Sequence, residues 1–139
     1  MKPILNYASS IWNPVNNQYK VQRKAARLVT SDWPWNSSPS KTIGALGWNS
    51  IELLRKLSSL VILHKIVNGQ IALAQDLLTK FSRGSSSNFQ QVLGRVLVWS
   101  NSFVPVTTKW WNELPKKVTL LESQSQFFNK ITKYLDLYI

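Results

Sequence analysis

Between residues 50 and 68 apolar side chains fall on almost every side of a helical wheel. Leu53, Leu54, Leu57, Leu60, Val61, Ile62, Leu63, Ile66 and Val67 leave little of the circumference polar. Such a helix has to be covered all round, so the pattern predicts one central, buried helix over about 50–68. Asn49 followed by Glu52 has the spacing of a capping box at its start, and Gly69 supplies a left-handed stop at its end. Upstream, from about Gln18 to Ser31, the period is amphipathic. Lys20, Arg23, Lys24 and Arg27 share one face, while Val21, Ala25, Leu28 and Val29 share the other and are expected to face inward.

The other elements are shorter. Residues 2–12 read as the end of a helix stopped by Asn13-Pro14, because the residue before a proline is driven out of the helical region. A short helix is predicted from about Ser40 to Leu46, ended by Gly47, and another from about Leu73 to Phe81, followed by a flexible Ser-rich loop over 82–88. Val96-Leu97-Val98-Trp99 is the β-like run and predicts an edge strand or short hairpin with Phe103 and Val104, near 92–104. Pro105 and Pro115 bracket a helix of about two turns carrying Trp110 and Trp111. Ser123 with Gln126 caps a last helix whose Phe127, Phe128, Ile131, Tyr134, Leu135 and Tyr138 form one stripe, with Lys130, Lys133 and Asp136 toward water. The expected fold is therefore mainly α, an irregular helical bundle around the central helix. Trp12, Trp48, Trp111 and Pro115 are its expected structural anchors, since tryptophan gains most by burial.

Composition adds one domain and a partner class. A chain of 139 residues that is 44% hydrophobic can bury a core of its own, so a single domain over 1–139 is the default. Lys and Arg number 17 against 6 acids, a net charge of +11 spread along the whole chain. That balance favours a polyanionic partner. With no cysteine, disulfides and thiolate metal sites are excluded, and one histidine gives no basis for a metal site. No cofactor is expected. The start lacks a signal peptide's apolar run, and no stretch reaches the roughly 18 apolar residues that span a bilayer, so an intracellular protein without a membrane span is expected.

Catalytic chemistry is not visible. Nucleotidyl transfer needs clustered carboxylates to hold two divalent ions. Here Asp32, Glu52, Asp76, Glu113, Glu122 and Asp136 each stand alone. Gly44-Ala45-Leu46-Gly47 lacks the spacing and the preceding strand of a phosphate loop. His64 has no nucleophile motif around it and falls near Leu53, Leu57 and Leu60 on the wheel, which places it at the edge of the core. The basic face of Lys20, Arg23, Lys24 and Arg27 is the best candidate for contact with phosphates, because four like charges on one arc weaken an isolated helix and need a benefit from elsewhere. Lys109, Lys116 and Lys117 form a second patch with Trp110 and Trp111 between its members, and rings interleaved with lysines can stack on unpaired bases. Trp111 itself reads first as a core residue. Trp33 and Trp35, on a loop, are freer to stack.

Four motifs, in this order, carry a resemblance. They are Tyr7-Ala8-Ser9-Ser10-Ile11-Trp12-Asn13-Pro14, Val21-Gln22-Arg23-Lys24-Ala25-Ala26-Arg27, Leu63-His64-Lys65-Ile66-Val67-Asn68-Gly69, and Ser102-Phe103 leading to Trp111-Asn112-Glu113-Leu114-Pro115. Together they resemble the region C-terminal to the polymerase palm in non-LTR retrotransposon reverse transcriptases of the jockey-like or LINE type. The resemblance implies a thumb-like segment that grips template and primer by their backbones, a role falling on Arg23, Lys24 and Arg27. It also implies that Met1 is an internal start in a truncated reading frame and that the polymerase's fingers, palm and endonuclease have no counterpart here. The chain departs from the family pattern at Tyr19-Lys20, where Leu-Glu is usual, and at Val104 and Val106, where a basic residue is usual near Pro105. The function expected is that of a non-catalytic polymerase fragment with weak, sequence-independent RNA or DNA binding. The alternatives are an independent protein-interaction module, self-associating through faces that would meet the palm, and a decayed remnant without function.

Overall fold

The computed structural model describes residues 18–31, 33, 38–71, 78, 88–90 and 100–137. Among them are six helices: α1 (Gln18–Thr30), α2 (Pro39–Ala45), α3 (Ile51–Val67), α4 (Phe103–Asn112), α5 (Lys116–Thr119) and α6 (Gln124–Tyr134). No helix among the described residues is long and apolar enough to cross a membrane. The fold is mainly α, with α1, α4 and α6 packed against the central α3. The helix end expected at 2–12 with Trp12, the helix at 73–81, the loop at 82–87 and the β-like run at 92–99 lie outside the described residues.

Helix ends account for how the chain turns. Gly47 and Gly69 both adopt positive φ, and in each case the next residue donates back across the last turn: Trp48 N–H to Ile43 at 3.1 Å and Gln70 N–H to Lys65 at 2.9 Å. This six-to-one closure is the Schellman stop that a glycine without a Cβ makes cheaply. At the start of α3 the cap is Ser50 rather than Asn49. The Ser50 hydroxyl accepts the Glu52 N–H, and Ser123 at the start of α6 makes no such side-chain cap.

The core gathers Leu57, Leu60 and Leu63 of α3, Phe89, Trp111 of α4, Leu114, Val118 of α5, and Phe127, Ile131 and Leu135 at and beyond α6. Trp111, 1% exposed, lies 5.6 Å from Phe127 and 6.2 Å from Phe89, ring centre to ring centre. His64 is buried with them. It stacks on Phe127 at 4.0 Å, and its Nε2–H donates to the Leu121 carbonyl at 2.6 Å, while Asn68 Nδ2 lies 3.3 Å from Nδ1, the nitrogen left to accept from it, and 3.1 Å from Nε2. Both polar atoms of the ring are thereby satisfied, which is what lets an imidazole sit in a core.

Several expectations are corrected. Phe103 and Val104 open α4 instead of pairing in a hairpin, and α4 runs from Phe103 rather than from Pro105. Pro105 falls within the first turn, where the missing N–H is one that the helix leaves unbonded anyway. Pro115 is exposed and packs no core. Its carbonyl instead accepts from Val118 N–H at 2.8 Å and starts α5, an element the sequence pattern does not announce. Tyr134 is exposed beside the buried Phe127, Ile131 and Leu135.

The largest correction concerns α1. Val21, Leu28 and Val29 are 50%, 65% and 62% exposed, and the helix turns Gln22 and Ala26 inward instead. The cause is a side-chain amide. Gln22 Nε2 donates to the Asn49 carbonyl at 2.8 Å, and its Oε1 accepts the Ile51 N–H at 3.1 Å, so one side chain clamps α1 to the start of α3. Ala26, fully buried, is small enough to allow close approach. Gln22→Ala strips the acceptor from the buried Ile51 N–H, an expected loss of about 1–3 kcal/mol in urea denaturation. Gln22→Glu keeps that acceptor but sets a carboxylate against the Asn49 carbonyl, and is expected to fall no better than halfway back.

Candidate nucleic-acid interface

The clamp at Gln22 fixes which way the cations of α1 point. With Gln22 and Ala26 inward, Lys20, Arg23 and Lys24 are exposed, and Arg27 is half-buried at the edge of the same arc with its Nε shielded from solvent and without an acceptor. The basic face is thus an open surface of three cations with a fourth at its margin. Among the described residues the one ion pair is Lys56 with Glu113 at 3.5 Å, on α3 and beside α4, so no α1 cation forms a salt bridge with a described carboxylate, and Arg23 alone shares a cleft wall with two of them, Glu52 and Asp136. Uncompensated, outward-facing cations on a rigid helix are what a phosphate backbone neutralises, with release of counterions.

The second patch is less able to read bases than its sequence suggests. Lys109, Lys116 and Lys117 are exposed, but Trp111 is buried, and Trp110 is half-buried with the Lys56 ammonium 5.6 Å from its ring centre. The patch offers charge and no free pair of rings. Trp33, just past α1, is 63% exposed, and Trp35 lies outside the described residues. Of the four expected anchors, Trp111 is buried, Trp48 half-buried and Pro115 exposed, and Trp12 lies outside the described residues.

The motif residues left without a role in the sequence turn out to be braces. Gln22 holds α1 to α3. Asn68 Nδ2 reaches the Glu122 carbonyl at 3.3 Å as well as His64, tying the end of α3 to the segment before α6. Asn112 accepts the Phe89 N–H at 3.0 Å and donates to the Phe89 carbonyl at 2.8 Å, mimicking a strand partner. Gln22 and Asn112 each supply a donor and an acceptor at one end, the pair an irregular backbone segment needs when it is buried, while Asn68 acts through its Nδ2 donor alone. No local sequence signal shows this, because the partners are far away along the chain.

A cleft of about 310 Å³ opens next to the basic face. Its walls include Arg23 of α1, Gly44 of α2, Trp48 and Asn49 of the turn, Glu52 of α3, and Asp136 just beyond α6. Two carboxylates that stand alone in the sequence are brought to one cavity. The Gly47 stop is what delivers Trp48 there. Asp136 arrives by the same device, since it holds positive φ while Leu137 N–H closes onto Thr132 at 3.1 Å. Among the described residues no cluster of three His, Cys, Asp or Glu side chains could hold a metal ion. Comparison with protein-family models, with curated proteins and with solved structures gives no match.

Proposed function

We propose that the chain is a non-catalytic nucleic-acid-binding module, corresponding to the thumb-like region C-terminal to the palm in a non-LTR retrotransposon reverse transcriptase. The observation that carries the binding reading is the exposed row Lys20, Arg23 and Lys24, without a salt-bridge partner among the described residues, on a helix held in orientation by Gln22. Contacts of this kind go to phosphate oxygens and carry no base information. The origin is supported by the order of the motifs in the sequence, and by the fact that the side chains in three of them brace a helical core rather than assemble reactive groups. Two RNA hairpins of unrelated sequence are expected to bind with dissociation constants within about threefold of each other at about 0.1 M salt. Fluorescence anisotropy measures this, and absence of binding to both overturns the reading.

A second reading rests on the exposed apolar flank of the same helix. Val21, Leu28 and Val29 lie beside the basic arc, and such a flank suits docking to a protein or to a second copy of the chain. Sedimentation velocity separates the two readings: concentration-dependent self-association without RNA affinity would favour this one.

A further inference from the structure

We propose that the cleft between α1, α2 and the start of α3 is a subsite for one unpaired nucleobase, selective for bases that carry an exocyclic amino group. The proposal rests on the nucleic-acid reading above and deepens it. Trp48 is half-buried on the wall and forms no ring stack among the described residues, so the aromatic surface it contributes to the cleft is not already taken up by another ring. Arg23 belongs both to the cleft wall and to the exposed basic row, which places a phosphate-binding cation at the cavity's edge. A strand tracked by Lys20, Arg23 and Lys24 would therefore pass the opening, and one base can turn in.

The other wall decides which base. Glu52 and Asp136 line it, and a carboxylate only accepts hydrogen bonds. Cytosine offers its N4 amino hydrogens to such a group. Uracil has the same ring size but a carbonyl at that position, and a carbonyl against a carboxylate is repulsive. The two carboxylates also repel phosphate, so the cleft suits a base and not the backbone. A lysine or arginine side chain of a protein partner would meet the same carboxylates, but it would also meet the like charge of Arg23.

Gly44 makes the test clean. Gly44 lines the cleft, and a Cβ built there meets nothing within 4 Å, so a side chain can be started at this wall without a clash at its first atom. The experiment titrates the full chain with twelve-residue oligocytidylate and oligouridylate at neutral pH. Oligocytidylate is expected to bind about tenfold more tightly. Trp48→Ala and Gly44→Leu should each bring oligocytidylate down to the oligouridylate value, whereas Trp48→Phe, which keeps an aromatic face, should retain most of the preference. None of the three should change the salt dependence, because no phosphate contact is removed. Equal affinity for the two oligomers, or a preference that survives both Trp48→Ala and Gly44→Leu, overturns the subsite. Competition by N-acetyl-lysine methylamide but not by cytidine would assign the cleft to a peptide cation instead. If salt-dependent hairpin binding persists while the base preference is absent, the subsite alone fails. If neither is seen, the binding function fails with it.

Discussion

Trp111→Ala is expected to cost about 3–5 kcal/mol of folding stability, a large share of what a domain of this size has. The neighbouring Trp110→Ala is expected to cost about 1 kcal/mol. The two residues are adjacent in the sequence, yet their surroundings differ in kind. Trp111 is buried against Phe127, Phe89 and His64, where its removal opens a cavity between α4, α6 and α3 that rigid helices cannot fill. Trp110 is half-buried, packs on the rim of the core and has the Lys56 ammonium over its ring, so its removal leaves a gap that solvent can reach in place of a closed cavity. Urea denaturation of the two variants measures the difference. Similar losses at both positions would mean that the Trp111 rings are not what joins α4 to the core.

Simultaneous Lys20→Glu, Arg23→Glu and Lys24→Glu is expected to weaken hairpin binding on the order of a hundredfold at low salt, with little change in folding stability. All three side chains are exposed and have no salt-bridge partner among the described residues, so their reversal breaks no described ion pair. Arg27 is left in place because its Nε is buried, and reversing it would mix a folding effect with a binding effect. The same reversal of Lys109, Lys116 and Lys117 serves as the comparison. It alters net charge equally but leaves the α1 row intact, and is expected to weaken binding by about tenfold or less. Equal losses would mean that the protein's overall charge, and not a defined face, holds the nucleic acid.

The parts of this molecule that could be read in the sequence are those set by periodicity and by chain-reversing residues. The all-round apolar pattern of α3, the Gly47 and Gly69 stops and the buried stripe of Phe127, Ile131 and Leu135 follow from spacing alone. The orientation of α1 does not. Its hydrophobic period points Val21, Leu28 and Val29 inward, but two hydrogen bonds from Gln22 to residues 49 and 51 outweigh that tendency and rotate them to the surface. Those bonds satisfy backbone groups that would otherwise be buried unpaired, and such a debt is invisible without the partner segment. Phe103 and Val104 show the same limit for strand propensity, which describes a fit to a pleated surface and yields when the segment packs as a helix around Trp111. The basic row was legible because lysine and arginine at helical spacing need no partner to be recognised. The cleft was not, since Arg23, Trp48 with Glu52, and Asp136 come from three separate stretches and converge only through two left-handed turns.

The exposed apolar flank and the basic row share one helix, so α1 is the surface on which any account of this protein turns. In the proposed function Lys20, Arg23 and Lys24 act together on a phosphate backbone. The slope of log affinity against log salt for an RNA hairpin measures the number of phosphates neutralised. The unaltered chain is expected to give a slope of about −3, flattened by about 2 units in the Lys20, Arg23 and Lys24 reversal. A slope near zero, or one that the reversal leaves unchanged, would contradict it.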